Sequence, residues 1–125
     1  MNRFTSMIVT AAFLFAAGSA NAQNLTGSWR TSNNVDGRVV HNGNQIQSTE
    51  WIAKTVGTSR LTGSHKVYTG TWRNQAPDWI GSGTVKITII NANKFIRSWE
   101  GTAVYRGVRY PVRGTETWYR NGVRQ

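Results

Sequence analysis

The stretch Ile80-Gly81-Ser82-Gly83-Thr84-Val85-Lys86-Ile87-Thr88-Ile89-Ile90 decides the fold of this chain. In its second half Val85, Ile87 and Ile89 alternate with threonine and lysine. A period of two places successive side chains on opposite faces of an extended strand. The stretch therefore predicts a β-strand with one apolar, buried face and one polar face.

Extended segments of the same kind recur on both sides of this strand, separated by glycine and asparagine. Asn42-Gly43-Asn44 lies between two such segments, and Asn-Gly is a strong signal for a β-hairpin. The predicted strands span 25–31, 39–41, 45–52, 54–61, 67–72, 80–90, 94–105 and 108–119, with a loop over 74–78. About eight strands with short connections predict an all-β fold, an antiparallel up-and-down barrel. A sandwich, the alternative, usually needs longer crossover connections.

The first 22 residues have the features of a secretory signal peptide. Arg3 is followed by an apolar run over 7–17 and by the small-residue ending Ala20-Asn21-Ala22. The run is shorter than the ~20 residues that a membrane-spanning helix needs. We expect cleavage after Ala22, a β-barrel domain over 23–125, no transmembrane segment after cleavage, and a secreted or periplasmic location.

Composition limits the ways in which such a domain can be stabilised. The chain has 125 residues, 15 Lys and Arg, 5 Asp and Glu, 6 Trp and no Cys. Disulfides, which small exported domains often use, are excluded. We therefore expect stability from aromatic burial and from closure of the sheet, since closure removes free strand edges.

The residues offer little support for catalysis, metal binding or a cofactor. His41 and His65 lie in or beside separate turns and have no metal-ligand spacing, and no Gly-x-Ser-x-Gly motif occurs. Glu100 and Glu116 fall on neighbouring predicted strands and form a possible acid–base pair. Arginines surround both, so cross-strand ion pairing is the favoured role. The sequence thus predicts a binding protein and not an enzyme, with no metal site.

Two short motifs resemble the calycin group of barrels, which includes lipocalins, fatty-acid-binding proteins and avidins. They are Gly27-Ser28-Trp29 on the first strand, and Arg120 directly after Thr117-Trp118-Tyr119 on the last. The resemblance implies that Trp29 and Arg120 close one end of the barrel, with the guanidinium over the indole. The chain is close to avidin size, but it lacks a mid-chain motif and the cysteines that many lipocalins carry.

The leading functional prediction is a carrier or scavenger of a small hydrophobic or amphipathic ligand. Along 94–105, Phe95, Arg97 and Trp99 share one face, so either a bulge changes the register or the interior is partly polar. A partly polar cavity with aromatic walls would suit such a ligand, whereas a filled barrel is the alternative. The candidate ligand-binding or end-closing residues are Trp29, Tyr68, Trp72, Trp99 and Trp118.

The second prediction is a basic surface that binds polyanions such as lipopolysaccharide, acidic polysaccharide or nucleic acid. Positive charge is concentrated late in the chain, and tyrosines are interleaved with it. The candidate residues are Arg106, Arg109, Arg113 and Arg124. A solvated surface that serves solubility is the alternative. An outer-membrane barrel is a weaker interpretation, because no consistent lipid-facing band is visible.

Overall fold

The protein is described here by a computed structural model that covers residues 24–52 and 54–121. The predicted signal peptide with its cleavage site, and Arg124, lie outside the described residues.

The described residues form eight antiparallel strands that close into a barrel in sequence order. The strands are β1 (Gly27–Thr31), β2 (Asp36–Asn42), β3 (Gln45–Ile52), β4 (Thr55–Ser64), β5 (Val67–Ala76), β6 (Trp79–Asn91), β7 (Lys94–Tyr105) and β8 (Val108–Arg120). Each strand pairs with the next, and β1 also pairs with β8. The predicted all-β, up-and-down barrel is confirmed.

The predicted loop over 74–78 is wrong in extent. Strand β5 continues through Ala76, and the turn to β6 consists of Pro77 and Asp78. The loop prediction relied on the proline, which ends a strand but says little about the residues that precede it. As a result, Asn74 is a strand residue opposite Gly81 in the sheet.

The two ends of the barrel differ. The closed end carries the β2–β3, β4–β5 and β6–β7 turns, and the open end carries the other turns. Strand β1 has five residues and pairs with residues 118–120 of the 13-residue β8. Among the described residues, the first part of β8 therefore has β7 as its sole strand partner, so the prediction of a sheet without free edges is wrong there. This edge carries Pro111, a residue that discourages edge-to-edge pairing.

Aromatic side chains fill the closed end. Phe95 lies between two indoles, with ring centroids 4.8 Å from Trp29 and 5.2 Å from Trp118, and all three side chains are fully buried. The indole of Trp118 lies directly over Gly37 of β2, where a Cβ atom would collide with it. Burial of rings of this size stabilises a small domain that has no disulfides.

Candidate ligand site at the open end

The closed end is sealed by Arg120. Its guanidinium lies 4.7 Å from the centroid of the Trp29 ring, and the two residues are register partners in β8 and β1. The same guanidinium donates hydrogen bonds to the carbonyl oxygens of Thr26 (2.9 Å), Asn24 (2.8 Å) and Ala92 (2.9 Å). The implied closure of this end by Trp29 and Arg120 is confirmed as geometry.

Tyr68 belongs to a polar network beside this seal. The backbone N–H of Leu25 donates to Nδ1 of His41 (3.1 Å), so Nε2 of the same ring carries a proton. That nitrogen lies 3.2 Å from the Tyr68 hydroxyl and 3.1 Å from the Gly43 carbonyl oxygen. The network ties the chain before β1 to the β2–β3 turn and is a structural feature of the closed end.

A buried charge cluster lies in the barrel interior on the open side of this core. Arg97 is 3% exposed, and its Nη1 lies 3.6 Å from Glu50 Oε1 and 3.7 Å from Glu116 Oε1. Its Nη2 donates to the Ser59 hydroxyl at 2.8 Å. The interior is therefore partly polar, as one of the two sequence interpretations predicted. The register irregularity of the β6–β7 pair lies between Ile89 and Asn91, away from Arg97.

The protonation of this cluster is set by Glu50. Burial, the neighbouring charge of Glu116 and a hydrogen bond with that side chain raise the pKa of Glu50 from 4.5 to about 7, against the opposing effect of Arg97. Burial lowers the pKa of Arg97, while the two carboxylates act in the opposite direction. At neutral pH the Glu50 carboxyl is thus divided between its charged and neutral forms.

A cavity of about 300 Å³ connects this cluster to the open end. It lies beneath the β1–β2 turn and has apolar walls with polar groups between them. Its lining consists of Asn33, Val35, Glu50, Ile52, Trp72, Asn74, Arg97, Trp99 and Glu116. The indole of Trp99 also lies 5.0 Å from the Arg97 guanidinium, which places an aromatic face directly beside the charge.

Two polar atoms at this cavity lack partners. Asn74 Oδ1 and Arg97 Nε are buried, and neither has a hydrogen-bond partner among the described residues. A buried polar atom left without a partner costs about 1–3 kcal/mol. The pair comprises one acceptor and one donor in the lining of the same cavity.

The five predicted ligand-binding residues fall into two groups. Trp72 and Trp99 line the cavity. Trp29, Tyr68 and Trp118 do not line it. They pack in the hydrophobic core, to which Trp72 also belongs, and the Trp118 indole N–H donates to Glu116 Oε1 (2.9 Å). The first two remain ligand-wall candidates, and the other three are assigned to end closure and core packing.

Sequence reasoning missed Glu50 and Asn74. The alternation of Ile46, Ser48 and Glu50 was a usable signal for Glu50, because it places the carboxyl on the same face as a buried isoleucine. Asn74 was assigned to a loop, and its place on the inner face follows only from the true length of β5.

The two other predicted sites are dispersed. Glu100 is exposed on the outer face whereas Glu116 is buried, so the possible acid–base pair is wrong. Arg109 and Arg113 lie on the outer face of β8, with Arg113 opposite Glu100. Arg106 occupies the β7–β8 turn, 5.1 Å from the Tyr105 ring centroid. A broader depression of about 840 Å³ on this outer face is lined chiefly by threonine and charged residues. The polar side chains that line it are exposed or half-buried, whereas the inner cavity is lined by the buried Glu50, Arg97 and Glu116.

Three further observations complete the description of the site. Over residues 24–52 and 54–121, no group of three His, Cys, Asp or Glu side chains is arranged to hold a metal ion. In the same part of the chain, no helix has the length and hydropathy needed to cross a membrane. Comparison of the chain with protein families, curated proteins and solved structures finds no match.

Proposed function

We propose that the protein is an exported, non-catalytic binding protein that takes a small amphipathic ligand into the open end of its barrel. The observation that carries the proposal is the cavity itself, in which two tryptophans stand beside a buried arginine and an unpartnered asparagine oxygen. Apolar walls with a few convergent polar groups are typical of small-molecule sites. A relationship to the calycin barrels is part of this proposal, supported by the Arg120 and Trp29 closure.

The chemistry of the lining narrows the ligand class. Trp72 and Trp99 offer flat apolar faces, so we infer a planar, apolar body. Asn74 Oδ1 requires a donor and Arg97 Nε–H requires an acceptor, so the polar edge should carry both, as a primary carboxamide does. About 300 Å³ lies at the lower limit of ligand pockets, which favours a compact molecule of one or two rings.

Asn74→Leu tests this proposal, because binding and folding should respond in opposite directions. Removing a buried acceptor that has no partner should increase the free energy of unfolding by about 1–2 kcal/mol. The same substitution should weaken the binding of an aryl carboxamide probe, such as benzamide or naphthamide, by about tenfold or more. Tryptophan fluorescence titrated with the probe measures binding, and urea denaturation measures stability.

Gln75→Leu is the matched control, since Gln75 is the exposed neighbour of Asn74 on the same strand. It should leave both quantities close to the wild-type values. Wild-type protein that shows no saturable response to any aryl carboxamide would count against this ligand class. A variant that gains stability but binds as tightly as the wild type would remove Asn74 from the site.

Export and the absence of catalysis have separate tests. Amino-terminal sequencing of the protein recovered from the periplasm or medium should begin at Gln23; a chain that retains Met1 in the cytosol would overturn export. A turnover that is lost in Glu116→Gln would overturn the non-catalytic assignment, because Glu116 is a buried carboxyl at the cavity.

A further inference from the structure

Large exposed apolar side chains are concentrated at the open end of the barrel. Eleven such side chains are exposed in the described residues, and eight of them lie at this end. Seven form what we call the apolar collar: Trp51, Ile52, Val56, Ile80, Val104, Tyr105 and Val108. Exposure of Ile80 reaches 54%, and that of Val108 reaches 51%. Clustered exposure of this kind, unlike scattered apolar residues, marks an interaction surface.

The outward part of the collar is one register row of the sheet. Trp51 pairs with Val56 across β3 and β4, and Ile80 pairs with Val104 across β6 and β7. Gln75 joins the two pairs, since it lies opposite both Val56 and Ile80. The next outward row consists of Arg38, Thr49, Thr58, Arg73, Ser82, Thr102 and Pro111. The apolar band is therefore a single row deep, and beyond it the outer face turns predominantly polar.

Basic side chains accompany the collar. Arg109 continues the same row on β8, Arg106 lies in the adjacent turn, and Lys54 precedes β4. Asp78, in the β5–β6 turn, opposes them, and Asp36, opposite Trp51 in the same row, is paired with Arg30 (2.9 Å). The open end thus combines an apolar ring with an excess of positive charge, on a chain whose net charge is +10.

We propose that the open end docks on an anionic lipid bilayer, with the apolar collar in the interfacial region and Lys54, Arg106 and Arg109 against the headgroup phosphates. Successive side chains on one face of a strand are about 7 Å apart, so an apolar band one row deep is about 7 Å deep. That depth matches the roughly 5–10 Å to which amphipathic helices at the bilayer surface bury their apolar face. Cations next to an anionic leaflet add attraction. The mouth of the cavity then faces the membrane.

Two other occupants fit the same surface less well. A second copy of this chain would bring like charges together, because each copy carries the same excess of arginine and lysine at the collar. A polyanion free of lipid would satisfy the arginines but leave the collar exposed to water. Of the collar residues, Ile52 also lines the cavity. The collar variant described below leaves Ile52 unchanged, so the docking proposal does not depend on the ligand proposal.

Flotation with lipid vesicles tests the docking surface. The sample is protein expressed from the full sequence and recovered after export. The wild type should bind vesicles that contain phosphatidylglycerol, and its affinity for phosphatidylcholine alone should be markedly lower. The triple variant Val56→Thr, Ile80→Thr, Val104→Thr removes apolar groups from the collar and should weaken binding by at least about tenfold. The control Val40→Thr, Ile90→Thr, Val67→Thr makes the same chemical changes at exposed positions outside the open end and should stay within about twofold of wild type.

A charge variant separates the two components of docking. Arg106→Gln with Arg109→Gln should abolish the preference for phosphatidylglycerol, whereas Arg60→Gln with Lys66→Gln, outside the open end, should preserve it.

Equal vesicle binding by the two triple variants would overturn the proposal. Retention on heparin without any vesicle binding would assign the surface to polyanions instead. A dimer in sedimentation that the collar variant dissociates, again without vesicle binding, would assign the surface to self-association. Circular dichroism and unfolding curves confirm that each variant is folded.

Discussion

Replacing Glu50 with glutamine should remove most of the pH dependence of stability between mildly acidic and mildly alkaline conditions. Glu50 is 7% exposed and lies beside Glu116 and Arg97, and its pKa is raised from 4.5 to about 7. The folded state therefore binds the Glu50 proton more tightly than the unfolded state does. Stability from this group is fully present below pH 4.5 and is lost as the pH rises through about 7.

The size of the effect follows from the two pKa values. One pKa unit corresponds to about 1.4 kcal/mol, so the difference between 4.5 and about 7 corresponds to a loss on the order of 3 kcal/mol. Glutamine resembles the neutral carboxyl in shape and does not ionise in this range. Glu50→Gln should match the wild type below pH 4.5 and exceed its stability at about pH 9.

Urea denaturation at a series of pH values, followed by tryptophan fluorescence, measures this difference. Glu100→Gln is the control, because Glu100 is exposed on the outer face of β7 and should leave the pH profile unchanged. Parallel profiles for the wild type and Glu50→Gln would refute the reasoning, since they would mean that Glu50 does not change its pKa on folding.

The remaining predictions concern other parts of the barrel. Arg97→Met leaves the buried carboxylates of Glu50 and Glu116 without their cation. Urea denaturation at alkaline pH should show a free energy of unfolding that is lower by about 3–5 kcal/mol. A loss no greater than that of the control Arg60→Met would contradict this prediction. Arg120→Ala removes the cation over Trp29 and its hydrogen bonds to three carbonyl groups. Calorimetry should show a free energy of unfolding that is lower by about 1–3 kcal/mol, and the control Lys94→Ala should lower it much less. Gly37→Ala places a methyl group against the Trp118 indole and should cost about 1–3 kcal/mol; near-UV circular dichroism unchanged from wild type would argue against that contact.

The barrel could be predicted because its determinants are local. The alternation over 80–90 and the Asn-Gly hairpin are set by strand periodicity and turn chemistry, which neighbouring residues specify. The seal between Trp29 and Arg120 was also within reach of the sequence, through resemblance to the calycin motifs. Strand ends were less accessible. Tertiary pairing with β4 and β6 extends β5 through Ala76, past the point that the turn signal indicated.

The site could be predicted only in part. Trp72 and Trp99 were identified as aromatic wall residues, but nothing local separates them from Trp29 and Trp118, which do not line the cavity. That separation depends on the length of each strand and on which residues meet across the barrel. The charge cluster has this origin only in part. Arg97 and Glu116 are register partners on β7 and β8, so the cross-strand ion pairing favoured for Glu116 is confirmed, whereas Glu50, on β3, meets Arg97 only across the closed barrel.

The central claim is that the open end binds a ligand while the closed end stays sealed. Indole N–H resonances of ¹⁵N-labelled protein, recorded during titration with an aryl carboxamide, test it most directly. The account predicts saturable shifts of the Trp72 and Trp99 signals, whose rings line the cavity, with that of Trp29, whose N–H donates to the Leu25 carbonyl oxygen at the closed end, unmoved. A shift confined to Trp29, or no saturable shift for any tryptophan, would contradict it.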